Sequence, residues 1–125
     1  MIIDIHTHLN NYHEDHVVSI DECLDKLTAA MTQNNVDYSL VLTSYKVNEH
    51  RPSTKAVVDA VQGRKNIGVI AGISYLHYDH HDLSEIANYL EKGLVKGLKL
   101  YPGYEPFYPN DTRLKVVYDM AVEYD

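Results

Sequence analysis

The stretch NIGVIAGIS, residues 66–74, is apolar throughout except for the polar residues at its two ends. A strand with one face in water alternates apolar and polar residues, whereas a near-continuous apolar run is typical of a parallel strand that is covered on both faces. The segment VDYSLVLT, residues 36–43, has a similar character. Together the two segments predict neighbouring strands of a parallel sheet.

Helical patterns occupy the sequence between the predicted strands. Ser19 opens the capping box S-I-D-E with Glu22, and one apolar stripe follows until Asn34–Asn35 ends the helix. A short helix is predicted over Lys55–Arg64. The members of the first stripe are Ile20, Leu24, Leu27 and Met31.

The same alternation continues to the end of the sequence. A second capping box, Asp82 with Glu85, predicts a helix that ends at Gly93. Strands are predicted over Met1–His6 and Leu94–Tyr101. Asp111 is expected to cap a last helix, whose apolar face would contain Leu114, Val117, Ala121 and Tyr124.

Four strand–helix units without a compositional break predict one α/β domain over residues 1–125. Successive βα units build either a doubly wound sheet or a barrel, with right-handed crossovers in both. Periodicity alone leaves these two architectures open.

Charge and cysteine content narrow the functional class. The formal net charge is −7 and Cys23 is the only cysteine. An acidic chain without a basic patch is not expected to bind nucleic acid, and a single cysteine fits a reducing compartment. No secretion leader and no run of 18 apolar residues is found, so we expect a cytoplasmic protein that does not enter the membrane.

The segment IDIHTHL, residues 3–9, places potential metal ligands at the end of the first strand. Alternation along a strand puts Asp4, His6 and His8 on one face, with the histidines nearest the carboxyl end, where α/β proteins bind ligands. Two neutral imidazoles converging there suit a divalent metal, with zinc the best fit. The alternative is that each histidine is a hydrogen-bonded loop residue.

The motif D-x-H-x-H within this segment resembles the opening signature of the amidohydrolase superfamily, and its amidohydrolase-related branch is the most similar. The segment KGLKLYPG, residues 96–103, resembles the fourth-strand segment of the same branch. The resemblance implies the N-terminal half of a (βα)8 TIM-type barrel. It also implies a metal-dependent hydrolase, in which a metal-activated water attacks an amide or ester of a small molecule.

The same resemblance leaves other functions open. The branch also contains metal-dependent nonoxidative decarboxylases of aromatic acids. The remaining ligands of the family lie on strands five, six and eight, and no counterpart of them is found here. His6 and His8 are therefore expected to be an incomplete metal site, and the chain alone is expected to be inactive. A non-catalytic half-barrel that serves in oligomerisation is the third hypothesis.

Lys99 is the candidate catalytic residue, because alternation along the fourth strand directs it toward the barrel interior together with Gly97 and Tyr101. The resemblance implies a lysine that is carboxylated and bridges two metals. The alternative is a structural lysine paired with a carboxylate.

Further histidines and tyrosines crowd the predicted carboxyl ends of the strands. HYDHHD, residues 77–82, is interpreted as a solvated loop, and so are His13, His16 and His50, although adventitious metal binding is the alternative. Five tyrosines could either wall a substrate pocket or cover a half-buried rim: Tyr75, Tyr78, Tyr101, Tyr104 and Tyr108.

An open set of four parallel strands would leave two edges unpaired, whereas a closed barrel has none. We therefore expect the chain to form a homo-oligomer.

Overall fold

The computed structural model describes residues 1–11 and 15–124. His13 lies outside these residues. Within the described part, four strands alternate with four α-helices, and a 3₁₀ turn over Thr112–Leu114 precedes the last helix. The elements are β1 (Ile3–Thr7), α1 (Ile20–Gln33), β2 (Tyr38–Leu42), α2 (Thr54–Val61), β3 (Ile67–Gly72), α3 (His80–Glu91), β4 (Gly97–Lys99) and α4 (Lys115–Glu123).

The strands form one parallel sheet in the order β1-β2-β3-β4. Val41 lies opposite Val69, and Ile70 lies opposite Gly97. The predicted α/β class, with a parallel sheet built from four βα units, is confirmed. Each crossover joins neighbouring strands, so the strand order never reverses.

The two faces of the sheet have different surroundings. Val41, Val69 and Ala71 are fully buried and belong to one apolar core with residues from all four helices. Leu40 and Ile70, which are adjacent to these residues along the strands, lie on the opposite face. Both are only partly buried and lie outside that core.

The helix α1 follows its sequence signals closely. The Ser19 hydroxyl accepts a hydrogen bond from the Glu22 N–H at 3.2 Å, and the Glu22 carboxylate accepts one from the Ser19 N–H at 3.2 Å. Asn35, just after the helix, has a positive φ of 55°. The predicted capping box and the predicted end of the helix are both confirmed.

The start of α3 differs from the prediction. Asp79 is the N-cap, and its carboxylate accepts a hydrogen bond from the Asp82 N–H at 2.9 Å. His80 and His81 therefore lie in the first helical turn and not in a loop, although both are exposed. The N-cap therefore lies three residues earlier than predicted, and Asp82 is the third residue of the first helical turn. The predicted glycine at the other end is confirmed, since Gly93 has a φ of 66°.

The last two elements are shorter or shifted relative to their predictions. β4 begins only at Gly97 because the Leu94 N–H still donates to the Tyr89 carbonyl at the end of α3. In α4 the buried residues are Val117 and Met120, whereas Ala121 is exposed. The core contacts of α4 come from Val117 and Met120, with Tyr124 just past the helix packed beside them, so the prediction for Ala121 is wrong.

Among the described residues, no helix combines the length and the apolar character needed to cross a membrane.

Candidate metal-binding cleft

A cleft of about 230 Å³ opens at the carboxyl ends of β1, β2 and β4. It contains all three residues that the sequence singled out for chemistry: His6, His8 and Lys99. Its other lining residues are Asn10, Ser44, Tyr45, Arg51, Tyr101 and Tyr104. The predicted site residues from the first and fourth strands thus meet in one place, because parallel strands end at the same edge of a sheet.

His6 and His8 lie on the same face of the chain. Their ring centroids are 5.2 Å apart and the ring planes are inclined by 66°. Side chains two residues apart on a strand point the same way, so this part of the prediction is confirmed.

The ring of His8 is held by the neighbouring strand. Its Nδ1 lies 2.8 Å from the carbonyl oxygen of Leu42. A carbonyl only accepts hydrogen bonds, so Nδ1 carries the proton and the lone pair of the neutral ring is on Nε2. Metal-binding histidines in proteins are commonly oriented in this way, with the second ring nitrogen bonded to a carbonyl or carboxylate.

Burial lowers the pKa of His8 below its usual value near 6.5. The hydrogen bond to Leu42 opposes this shift, while the charges of His6 and Lys99 lower the pKa of His8 further. The environment therefore favours the neutral form of the ring, which is the form that binds metal.

Asp4 does not join the histidines as a ligand. The pairing of β1 with β2 slips between Asp4, which lies opposite Ser39, and Thr7, which lies opposite Val41. The slip interrupts the simple alternation on which the shared face was predicted, and the Asp4 carboxylate accepts a hydrogen bond from the His6 N–H at 3.1 Å. No group of three or more potential metal ligands converges within the described residues.

Lys99 lies beside the histidines and the aromatic wall. Its Nζ is 5.5 Å from the centroid of the Tyr101 ring, and its charge contributes to the lowered pKa of His8. Within the described part of the chain, Lys99 forms no ion pair with a carboxylate. The described residues therefore do not support the alternative of a structural lysine paired with a carboxylate.

Tyrosine rings form one wall of the cleft. The Tyr101 and Tyr45 centroids are 4.8 Å apart, and each lies 6.4 Å from the centroid of Tyr104. The Tyr101 hydroxyl donates to the Thr43 carbonyl at 2.6 Å. Burial raises the pKa of Tyr101 to about 12, partly opposed by the nearby charge of Arg51. Tyr101 is therefore a neutral, oriented wall residue.

The other three tyrosines lie elsewhere. Tyr75 is buried and stacks on Phe107 with centroids 4.5 Å apart. The Tyr78 hydroxyl donates to the Arg113 carbonyl at 2.7 Å, and Tyr108 is exposed. Sequence position near the strand ends did not distinguish these structural roles from the cleft wall.

The remaining histidines also separate into two groups. His16 and His77 are exposed, as predicted for a solvated loop. His50 is half-buried, and its Nδ1 lies 2.7 Å from the side-chain oxygen of the buried Asn11. The prediction of a merely solvated residue is wrong for His50, because it connects the loop after β2 to the loop after β1.

Sequence reasoning missed four residues that line the cleft, namely Asn10, Ser44, Tyr45 and Arg51, of which the last two have the largest side chains. Both follow β2, and the only signal was their position after the carboxyl end of a predicted strand. It also missed Glu105, which is buried and accepts hydrogen bonds from the Ser74 hydroxyl and from the Tyr75 N–H.

Comparison of the chain with protein-family models, with curated proteins and with solved structures gave no match.

Proposed function

We propose that the chain provides part of the active site of a metal-dependent hydrolase with a TIM-type barrel. The observation that carries this proposal is the hydrogen bond between His8 Nδ1 and the Leu42 carbonyl. It leaves the Nε2 lone pair to bind a metal ion beside His6. Neutral imidazoles are favoured ligands of divalent zinc. The substrate class is a small amide or ester.

The sheet supports the barrel part of this proposal. Strands in the order β1-β2-β3-β4 with helices on one face are what half of a (βα)8 barrel requires, whereas a doubly wound sheet has helices on both faces. The histidines and Lys99 lie at the carboxyl ends of their strands, where such barrels have their active sites.

A zinc ion at this position would lower the pKa of bound water and polarise the carbonyl of the substrate. The protein's own contribution is orientation and charge. Leu42 holds the His8 ring in one tautomer. The Lys99 ammonium, which lines the same cleft, would bind the oxygen on which negative charge develops. Catalytic zinc usually has three protein ligands, so we expect a monomer with only these two imidazoles to turn over amides negligibly.

Zinc titration by calorimetry tests the metal site. His8→Asn keeps a hydrogen-bond donor near the position of Nδ1 but removes Nε2, so it should retain the fold and lose most of the zinc affinity. The matched control is the double variant His80→Ala, His81→Ala, which removes two exposed histidines of α3 and should bind zinc normally. Normal zinc affinity in His8→Asn and lost affinity in the double variant would assign zinc to residues 77–82 and contradict the proposal.

Hydrolysis is tested separately with an activated nitrophenyl ester, which needs little assistance with its leaving group. The chain alone is expected to be inactive toward ordinary amides and esters, but an ester this reactive should show slow, zinc-dependent hydrolysis that His8→Asn abolishes. If the unmodified protein binds zinc but hydrolyses the ester no faster than His8→Asn does, the site binds metal and is not used in hydrolysis.

The role of Lys99 can be resolved with bicarbonate. A carboxylated lysine would be an anionic metal ligand, so zinc affinity would rise with bicarbonate in the unmodified protein and not in Lys99→Arg, which cannot be carboxylated in this way. We expect no rise, because Lys99 acts through its positive charge. A bicarbonate effect confined to the lysine protein would reverse this assignment.

One observation favours decarboxylation of an aromatic acid as a second candidate function. The cleft is lined by three tyrosines, Lys99 and Arg51, and its lining among the described residues includes no acidic side chain. Such a surface suits a planar carboxylate. Benzoate should then bind more tightly than cyclohexanecarboxylate, and carbon dioxide should be released from a hydroxybenzoate. Equal binding of the two acids would remove the support for this candidate.

A further inference from the structure

We infer that the chain binds a phosphate group in a second pocket, at the opposite end of the sheet from the cleft. This pocket has a volume of about 260 Å³ and lies where β3 and β4 begin, beside the ends of α2 and α3. Its lining includes Arg64, Lys65 and Lys96, and among the described residues it includes no acidic side chain. The inference depends neither on the metal nor on the hydrolysis proposed for the cleft.

The fold assembles these basic residues from two separate parts of the sequence. Arg64 and Lys65 lie in the connection between α2 and β3, and Lys96 lies in the connection between α3 and β4. Because β3 and β4 are parallel neighbours, the two connections lie side by side at the same end of the sheet. A chain with a net charge of −7 thus has one pocket lined by three positive charges.

The two lysines are available to a ligand. Both are exposed, and within the described part of the chain neither ammonium group forms an ion pair or a hydrogen bond. Arg64 is partly engaged, since its guanidinium lies 3.8 Å from the Asp25 carboxylate and 3.3 Å from the Thr28 hydroxyl. An anion in the pocket would therefore interact chiefly with Lys65 and Lys96.

Basic residues near the end of a helix often bind its last carbonyl groups. In this pocket backbone groups already do so: the Leu90 carbonyl of α3 accepts from the Gly93 N–H at 2.9 Å. The Val61 carbonyl of α2 accepts from the Arg64 N–H at 3.0 Å. Neither lysine side chain donates to a helix carbonyl within the described residues, so completing a helix end does not account for them.

A tyrosine hydroxyl lies beside one of the lysines because a glycine leaves room for it. A Cβ atom at Gly68 would lie 2.6 Å from the Tyr38 hydroxyl oxygen and 3.3 Å from Cγ of Lys96. The missing side chain lets both groups pack over the backbone of β3. The Tyr38 hydroxyl has no hydrogen-bond partner among the described residues, so it adds a neutral donor to the pocket.

A phosphate group matches this set of donors. It has about two negative charges at neutral pH and three acceptor oxygens, which suit two ammonium groups and a hydroxyl. The net charge of −7 opposes a long polyanion such as nucleic acid. We expect a small phosphate ester to bind more tightly than the free ion, because part of the lining is apolar: Val58, Val61, Ile67 and Leu94.

Amide NMR during titration of the full chain with inorganic phosphate locates the site. Gly63, Gly68 and Gly93 line the pocket, whereas Gly72 and Gly103 lie at the other end of the sheet. We expect the signals of the first three to shift in a saturable way and those of the other two to stay in place. A shift confined to Gly103 would assign the anion to the cleft, and this result or the absence of any saturable shift overturns the inference.

Substitutions test which charges bind the phosphate. Lys65→Gln and Lys96→Gln should each weaken phosphate binding about tenfold, and Tyr38→Phe should weaken it less. The matched control is Lys92→Gln, which removes an exposed positive charge outside the pocket and should bind normally. Circular dichroism establishes that each variant is folded. Equal losses in Lys92→Gln and Lys96→Gln would reflect overall charge alone and overturn the site.

Phenyl phosphate distinguishes an ester from the free ion as the source of the phosphate group. We expect it to bind more tightly than inorganic phosphate, to shift the same three glycines and to lose affinity in Lys96→Gln. Equal affinities would assign the same site to the free ion. Phenyl phosphate binding that Lys96→Gln leaves unchanged overturns the inference, whether or not the cleft binds zinc.

Discussion

His8 shows how a single residue is prepared for metal binding by its surroundings. The carbonyl of Leu42 fixes its tautomer, and burial lowers its pKa. A histidine in the unfolded chain would bind a proton near pH 6.5, whereas the folded environment resists that proton. Because the His8 pKa differs between the folded and unfolded states, the free energy of unfolding depends on pH.

We expect the free energy of unfolding to fall as the pH drops through about 6.5 toward the lowered pKa of His8, because the unfolded chain binds the proton first. Above this window His8 is neutral in both states and contributes no pH dependence. His8→Asn cannot titrate, so its stability should fall less over the same range. Urea unfolding at neutral and mildly acidic pH measures both proteins. Identical pH dependence would show that His8 does not resist protonation.

At the scale of the element, the start of α1 is specified by residues that are close to it in sequence. Both hydrogen bonds of the capping box between Ser19 and Glu22 are formed. These bonds are local in sequence, so the start of the helix can be read without knowledge of the fold. The start of α3 could not be read so simply, because Asp79 and Asp82 are both good caps.

We expect Ser19→Ala to lower the free energy of unfolding by about 1 kcal/mol, the usual effect of losing a side-chain N-cap. The matched control is Ser84→Ala within α3, where the hydroxyl donates to the His80 carbonyl of its own helix and provides no cap. Chemical denaturation measures both. An equal loss in the two variants would mean that the cap itself contributes little.

Glu105 connects two loops that follow neighbouring strands. Its buried carboxylate accepts hydrogen bonds from the Ser74 hydroxyl at 2.7 Å and from the Tyr75 N–H at 2.9 Å. Tyr75 in turn donates to Asp111, just before the 3₁₀ turn and α4. The carboxylate therefore holds the loop after β3 against the loop after β4.

Glu105→Gln should destabilise the protein by about 1–3 kcal/mol, because the amide nitrogen replaces one acceptor and leaves a buried donor unsatisfied. Glu91→Gln, at the exposed end of α3, is the control and should be neutral. Denaturant unfolding gives both values. A neutral Glu105→Gln would show that one oxygen is enough to hold the two loops.

At the scale of the whole molecule, protection is expected to be uneven across the sheet. β2 and β3 pair on both sides and bury Val41 and Val69 completely, whereas β1 is exposed on both faces. Amide exchange follows such differences in local stability. Hydrogen exchange read by mass spectrometry should show β3 peptides protected longest and β1 peptides exchanging early in dilute protein. Protection of β1 as strong as that of β3 in a monomer would contradict this description of the sheet.

Much of the fold was predictable because its causes are local. Apolar runs at residues 36–43 and 66–74 specify buried parallel strands, and Gly93 ends α3 with the positive φ that glycine tolerates. His6 and His8 could be placed together because two-residue spacing on a strand determines their common face. The amino-acid sequence by itself therefore determined the α/β class, most helix ends and the histidine pair.

Other features depend on contacts between distant segments, and only the tertiary structure decided them. The register of β1 against β2 shifts between Asp4 and Thr7, and this shift depends on which residues of β2 lie opposite. Arg51 and Tyr45 enter the cleft because the loop after β2 folds back over the strand ends. A periodic pattern identifies the face of one strand, but it contains no information about a neighbour's register or a loop's path, which are settled by packing across the whole chain.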